Sequence, residues 1–169
     1  MFEKPSDNSH FEPRIVAFFC NWCTYTAADL AGTARMSYLP NARVVRIMCS
    51  GRLDPQFILA ALRQGADGVL IGGCHPGDCH YQEGNYKTLR RIALLKRVLR
   101  DFGIEPERVR LEWIAASEGD KVQHVINEMT EQIRTLGPLR LERREMLPAL
   151  GEQPVSLEEE ASAVGGGAL

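Results

Sequence analysis

Short apolar runs alternate along this chain with longer stretches in which apolar residues recur every three or four positions. Runs of the first kind mark strands buried on both faces, and the recurrent spacing marks amphipathic helices. Arg14 to Phe19 reads as a first strand that ends at Cys20, with a helix over Thr24–Met36 behind it. Val44 to Met48 reads as a second strand ending at Cys49. Asp54 then has the character of an N-cap, with Pro55 in the first helical position. That helix carries Ile58, Ala61 and Leu62 on one face and stops at Gly65. Gly68 to Ile71 opens a third strand, which runs through Gly72 and Gly73 into Cys74.

A longer helix follows over Asn85–Phe102, with Leu89, Ile92, Leu95, Leu99 and Phe102 at helical spacing and Gly103 as its stop. Val109 to Ala115 reads as a fourth strand. Ser117 and Asp120 have the spacing of a capping box for a last helix. Its apolar stripe is Val122, Val125, Ile126, Met129, Ile133 and Leu136, and Gly137 with Pro138 ends it. Four strands alternating with four helices predict an α/β domain with a four-stranded parallel sheet. Right-handed crossovers narrow the topology, and the flavodoxin-like order 2-1-3-4 with helices on both faces is the expectation. The pattern dissolves after Pro138. The expected organisation is a flexible N-terminus over 1–12, one domain over 13–137, and a partner-binding arm or disordered tail over 138–169.

Composition changes this picture little. The 169 residues match one domain, with 20 Lys+Arg against 22 Asp+Glu. Such a balance argues against a nucleic-acid binder. No apolar run approaches the roughly 20 residues of a membrane span. The first eleven residues are polar and lack a signal-peptide apolar region, so a cytoplasmic, reducing location is expected.

The cysteines change the picture more. There are five, an odd number in a compartment where disulfides are rare. Cys20, Cys49 and Cys74 fall at the carboxyl ends of three different predicted strands. Cys23 and Cys79 lie in the loops just after two of them. In open α/β sheets, ligands bind outside the carboxyl ends of the strands, where strand order reverses. In the order 2-1-3-4 that point lies above Cys20 and Cys74. Neighbouring strands are about 4.8 Å apart, so three adjacent strand ends fall within roughly 10 Å of one another. Thiolates are soft ligands that select zinc, copper(I) or iron–sulfur clusters. Cys20 and Cys23 form a C-x2-C knuckle. Cys74 and Cys79 form a C-x4-C pair, a spacing that also opens the plant-type 2Fe–2S pattern. A cluster takes four thiolates, which leaves one of the five over. Cys23 and Cys49 are the less secure ligands on this reading.

Two other functions use the same residues. Cys20-Asn21-Trp22-Cys23 stands between a strand and a helix, as in a thiol–disulfide oxidoreductase, but that role leaves Cys49, Cys74 and Cys79 unused. A structural zinc module acting as a docking platform would use the thiols without redox chemistry. Around the cysteines, Gly72, Gly73 and Gly77 allow close backbone approach to a cofactor or a tight turn. His75 and His80 suit hydrogen bonding or the surface better than ligation. Trp22 suits exclusion of water or partner packing. Arg46 and Arg52 flank Cys49. Lys87, Arg90, Arg91, Lys96, Arg97 and Arg100 give the third helix a basic face, either solvated or turned to an acidic partner.

Three segments carry a resemblance. F-F-C-N-W-C-T-Y (18–25), R-I-M-C-S-G-R (46–52) and G-A-D-G-V-L-I-G-G-C-H-P-G-D-C-H-Y (65–81) resemble the delta subunit of methyl-viologen-reducing hydrogenase, the MvhD family. The resemblance covers about residues 13–137, and all five cysteines match the family's motif positions. It implies a 2Fe–2S cluster held by four of Cys20, Cys23, Cys49, Cys74 and Cys79, and no active site of the subunit's own. It also implies partners. Electrons would pass between a hydrogenase or formate dehydrogenase and the flavin-bearing A subunit of heterodisulfide reductase.

Overall fold

The computed structural model describes residues 11–141; the expectations for the segments before and after them lie outside the described residues. Eight main elements alternate as expected: β1 (Ile15–Cys20), α1 (Thr24–Thr33), β2 (Ala42–Ile47), α2 (Pro55–Arg63), β3 (Gly68–Gly73), α3 (Gly84–Asp101), β4 (Val109–Trp113) and α4 (Gly119–Leu136). Short 3-10 turns precede α2 at Ser50–Arg52 and β4 at Pro106–Arg108. The strands form one parallel sheet in the order β2-β1-β3-β4, as the alternation predicts.

Period-two alternation on the central strands sends their side chains into two cores. Ile15, Ala17, Phe19 and Leu70 join Ala27 of α1 and Val122, Val125, Ile126, Met129 and Ile133 of α4. Phe18, Val69 and Ile71 join Ile58 and Leu62 of α2 and Ile92, Leu95 and Leu99 of α3. Each sheet face therefore carries a helix pair. Gly68 and Gly72 share the α1/α4 face with Leu70. A Cβ on Gly68 would press on Met129 and Ile133 at 3.0 Å, and one on Gly72 would overlap Thr24 at 2.3 Å. The absent side chains bring α4 and the start of α1 down onto the sheet.

Several boundaries and faces differ from the sequence expectation. α1 ends at Thr33 rather than Met36, because Arg35 turns left-handed at φ 55°. Leu89 and Phe102 keep the helical spacing but are 45% and 78% exposed, so the buried stripe of α3 is only Ile92, Leu95 and Leu99 among the apolar residues named above. No capping box forms at α4. The helix begins at Gly119 without a side-chain cap, and the Glu118 carboxylate instead accepts the Ala115 N–H at 2.6 Å. The Asp54 cap does form, accepting the Gln56 N–H at 2.9 Å in front of Pro55. The chain also stays on the domain past Pro138, since Leu139 packs against the α2/α3 core.

The amino-terminal edge of the sheet is locked by two buried charged residues. Asp67 accepts the N–H groups of Arg14 at 2.9 Å and Leu139 at 3.1 Å. Arg108, 2% exposed, donates to the carbonyls of Asp67 and Gly137 at 3.1 and 2.9 Å and to the Glu105 carboxylate at 2.7 Å. A planar fork of donors suits this task, and a single ammonium does not. Arg108→Met should lower the unfolding free energy by roughly 2–4 kcal/mol, because it strands two buried carbonyls. A urea titration showing a loss below about 1 kcal/mol would remove Arg108 from this role.

Candidate metal centre

Parallel strands present all their carboxyl ends to one side of the sheet. The last residue of β1 is Cys20, and Cys74 follows directly on β3. Cys49 lies two residues beyond β2, in the turn that enters Ser50–Arg52. Cys23 is the residue before α1, and Cys79 lies in the loop between β3 and α3. β1 pairs with β3 through Phe19↔Gly72 and with β2 through Cys20↔Ile47. This register sets Cys20 between the other two strand ends.

The thiols gather at the rim, as their places after the strands predict. Cys20 and Cys74 lie 3.9 Å apart, sulfur to sulfur. Cys49 and Cys79 lie 4.0 Å apart. The sulfurs of Cys20, Cys23 and Cys74 all fall within 4.8 Å of one another. Four of the five residues are buried and Cys79 is partly so. All five are free thiols.

Burial and crowding oppose ionisation of the group as a whole. Cys20 is pushed towards the thiolate, first by hydrogen bonding with Cys23 and then with Cys74. Cys74 and Cys23 are pushed up, first by their interaction with Cys20. Cys49 is pushed up, first by burial. The shifts favour the thiolate at Cys20 and the protonated thiol at Cys23, Cys49 and Cys74. Removing those protons needs positive charge inside the site, and a bound metal supplies it as ligands deprotonate. Two thiolates on one tetrahedral metal with bonds of about 2.3 Å stand about 3.8 Å apart. Both close pairs match that spacing, so the donor set fits a soft metal or cluster.

The surrounding residues position the loops. Asn85, buried at the start of α3, donates to the carbonyls of His75 at 2.7 Å and Cys74 at 3.3 Å. His75 is held by Glu118 at 2.8 Å, which keeps its Nε2 turned to that carboxylate. Backbone bonding from Ala115, then His75, holds the Glu118 carboxyl below the usual range. Trp22 stacks on His80 with ring centroids 3.8 Å apart, and its indole N–H donates to the Tyr81 hydroxyl at 3.3 Å. These contacts tie the loop after β1 to the loop after β3. Arg91 donates to the carbonyls of Gly51 and Leu53 at 2.8 and 3.2 Å, so one cation of the basic α3 face anchors the Cys49 turn. The guanidinium of Arg46 lies 5.2 Å over the Tyr25 ring, whereas Arg52 lines a cavity with Cys49.

The glycines expected at the site serve other purposes. Thr24 fills the space beside Gly72; Ser50 and the Trp113 ring fill that beside Gly73. Gly77 has φ 94° with open space around it, so it serves the turn. Sequence reasoning missed the pair that matters more. A Cβ on Gly84 would lie 2.3 Å from the Cys49 sulfur and 3.1 Å from that of Cys79. A Cβ on Gly51 would lie 2.6 Å from the Gly84 Cα. The only sequence signals were a glycine two residues after Cys49 and another just before a predicted helix, and both read equally well as punctuation.

A parallel α/β sheet with five free thiols at its carboxyl rim defines a domain built to hold a soft metal centre there. The family model described as "Methyl-viologen-reducing hydrogenase, delta subunit" matches residues 15–137, and the chain belongs to that family. The chain is 60% identical over 136 residues to the iron–sulfur D subunit of an F420-non-reducing hydrogenase from Archaeoglobus profundus, covering 80% of this chain and 99% of that protein. The vhc iron–sulfur D subunit of the same hydrogenase type from Methanococcus voltae is 57% identical over 132 residues, 78% of this chain and 92% of that one. The A subunit of a Ferredoxin/F(420)H(2)-dependent CoB-CoM heterodisulfide reductase from Methanosarcina acetivorans is 44% identical over 144 residues. That match takes 85% of this chain but only 18% of the relative.

Gly84→Ala separates helix propensity from the site. In an exposed helix the change would stabilise by up to about 1 kcal/mol. Here the added methyl should displace the Cys49 sulfur and lower bound metal per chain at least severalfold, read by elemental analysis after anaerobic purification. Full metal content in this variant would show that the Cys49–Gly84 contact is not required.

Proposed function

We propose that this chain is an electron-transfer subunit that would hold a 2Fe–2S cluster on Cys20 and Cys74 together with Cys49 and Cys79. The observation that carries the reading is two sulfur–sulfur contacts, Cys20–Cys74 at 3.9 Å and Cys49–Cys79 at 4.0 Å, with Cys23 within 4.8 Å of the first pair. Four thiolates on two metals is the ligand arrangement of a 2Fe–2S cluster. Cys23 is the thiol left over, within hydrogen-bonding reach of the Thr24 hydroxyl at 3.6 Å. When bound, the group accepts and returns single electrons. The chain's residues hold the ligands, keep bulk water from four of the five sulfurs and set the local charge.

The named relatives support the setting. Hydrogenase iron–sulfur subunits match along nearly their whole length, and a heterodisulfide reductase A subunit matches over a fraction of its own. This chain would relay electrons between a hydrogenase or other dehydrogenase and a heterodisulfide-reductase-type flavoprotein in the cytoplasm. The cluster-bearing unit would be residues 13–137. Among the described residues, no helix is long and apolar enough to cross a membrane.

Anaerobic purification should give about two irons and two sulfides per chain, with a paramagnetic signal on one-electron reduction. Cys→Ser at position 20, 49, 74 or 79 should abolish or shift that signal. The same change at Cys23 should leave it intact. Zinc without iron would overturn the reading in favour of a structural site. Loss of the signal in Cys23→Ser, with retention in one of the other four, would overturn this ligand set.

A further inference from the structure

A cavity of about 430 Å³ opens beside the thiols, lined by Met48, Cys49, Gly51, Arg52, Tyr81, Gly84 and Lys87. No other cysteine contributes to its wall. Cys20, Cys23 and Cys74 instead form a buried cluster of their own behind the strand ends. Cys49, itself buried, is thus the thiol that borders this cavity, and the partly exposed Cys79 lies 4.0 Å from it. The wall there is bare backbone, because Gly51 and Gly84 meet with no room for a Cβ on either.

The lining chemistry selects the partner. Arg52 and Lys87 are its charged members, and no carboxylate lines the cavity. Among the described residues neither cation takes part in an ion pair, in contrast to Arg108, Arg110 and Arg134. Met48 is 54% exposed and Tyr81 49% exposed, giving the mouth two large apolar surfaces. Tyr81 is steadied by Trp22. Aromatic and flexible apolar side chains beside unpaired cations are the composition of a docking centre for an acidic surface.

We propose that this cavity is the electron-exchange port of the chain, and that it receives a carboxylate-bearing surface of an acidic redox protein. The proposal rests on the electron-transfer reading above. Arg52 and Lys87 pair with the partner's carboxylates, Met48 and Tyr81 pack around them, and electrons cross at Cys49. The exchange is a one-electron step: the partner's reduced group is oxidised and this chain's centre is reduced, with no bond to the protein made or broken.

The test uses the full chain purified with its centre and flavodoxin as the acidic redox probe. Rates of reduction by reduced flavodoxin are followed by stopped flow at low and high ionic strength. Photoreduced deazariboflavin, a small uncharged reductant, is the control. Arg52→Glu/Lys87→Glu should slow the flavodoxin reaction at least tenfold at low salt, with the difference shrinking at high salt. Arg52→Gln/Lys87→Gln should fall between. Reduction by deazariboflavin should change less than twofold, and so should the flavodoxin rate of Arg97→Glu/Arg100→Glu, placed about 15 Å or more further along α3. An unchanged flavodoxin rate in a variant with full iron content overturns the port and leaves the electron-transfer reading standing. Equal slowing by the distant pair, or equal slowing with deazariboflavin, also overturns it. A wild-type chain without iron overturns the underlying reading, and the port with it.

Discussion

Cys20 can meet Cys74 and Cys49 only because β1 is hydrogen-bonded between β3 and β2 in one parallel register. Strand side chains alternate faces, so a slip of one residue would turn Cys20 to the opposite face. It would also drive Ile15, Ala17 and Phe19 out of the α1/α4 core and into the other one. The register is thus fixed by the burial of three apolar residues, and the position of one sulfur follows from it. Gly72 tightens the same relation. Its missing side chain admits Thr24, the first residue of α1, and so sets where the Cys23 turn leaves the sheet.

The two ends of the sheet divide the remaining work. At the amino end, Asp67 and Arg108 bind backbone groups of segments far apart in sequence. Buried charge is tolerated there because the donors and acceptors find partners. At the carboxyl end the loops carry thiols, and besides the Cys20–Cys74 and Cys49–Cys79 contacts they are braced by two hydrogen bonds each at Asn85, Arg91 and Glu118 and by the contacts of Trp22 with His80 and Tyr81. A firmly tied base lets the rim consist of irregular backbone without spreading. Loops that hold function on a rigid scaffold follow this division generally.

Much of this was legible in the residues. The apolar runs gave the four strands, and alternation gave the parallel sheet and its order. The five cysteines pointed to the rim because each followed a strand. What could not be read were contacts between segments with no local signature. Gly51 and Gly84 looked like punctuation, and their close approach, which leaves a Cβ on Gly51 only 2.6 Å from the Gly84 Cα, exists only after α3 has packed on the Cys49 turn. Leu89 and Phe102 had the correct spacing on α3, but spacing does not say how wide a stripe the sheet can cover. The expected capping box at Ser117 failed for a similar reason. Glu118 takes the Ala115 N–H and His75 together, and that competition involves the loop after β3, 43 residues away in the chain.

Burial gives the site its asymmetry. Crowded thiols in apolar surroundings resist sharing more than one negative charge, so the inner group at Cys20, Cys23 and Cys74 calls for a cation to complete it. The same burial keeps the inner sulfurs away from any other molecule. Cys79 is the partly exposed thiol, and Cys49, itself buried, borders a cavity whose wall two glycines leave as backbone. A side chain at either glycine would move the thiol or thicken the wall, and the site would lose a ligand or its access. Those two residues therefore serve two demands at once: they fix a sulfur where it can bind, and they keep the layer between it and a partner thin.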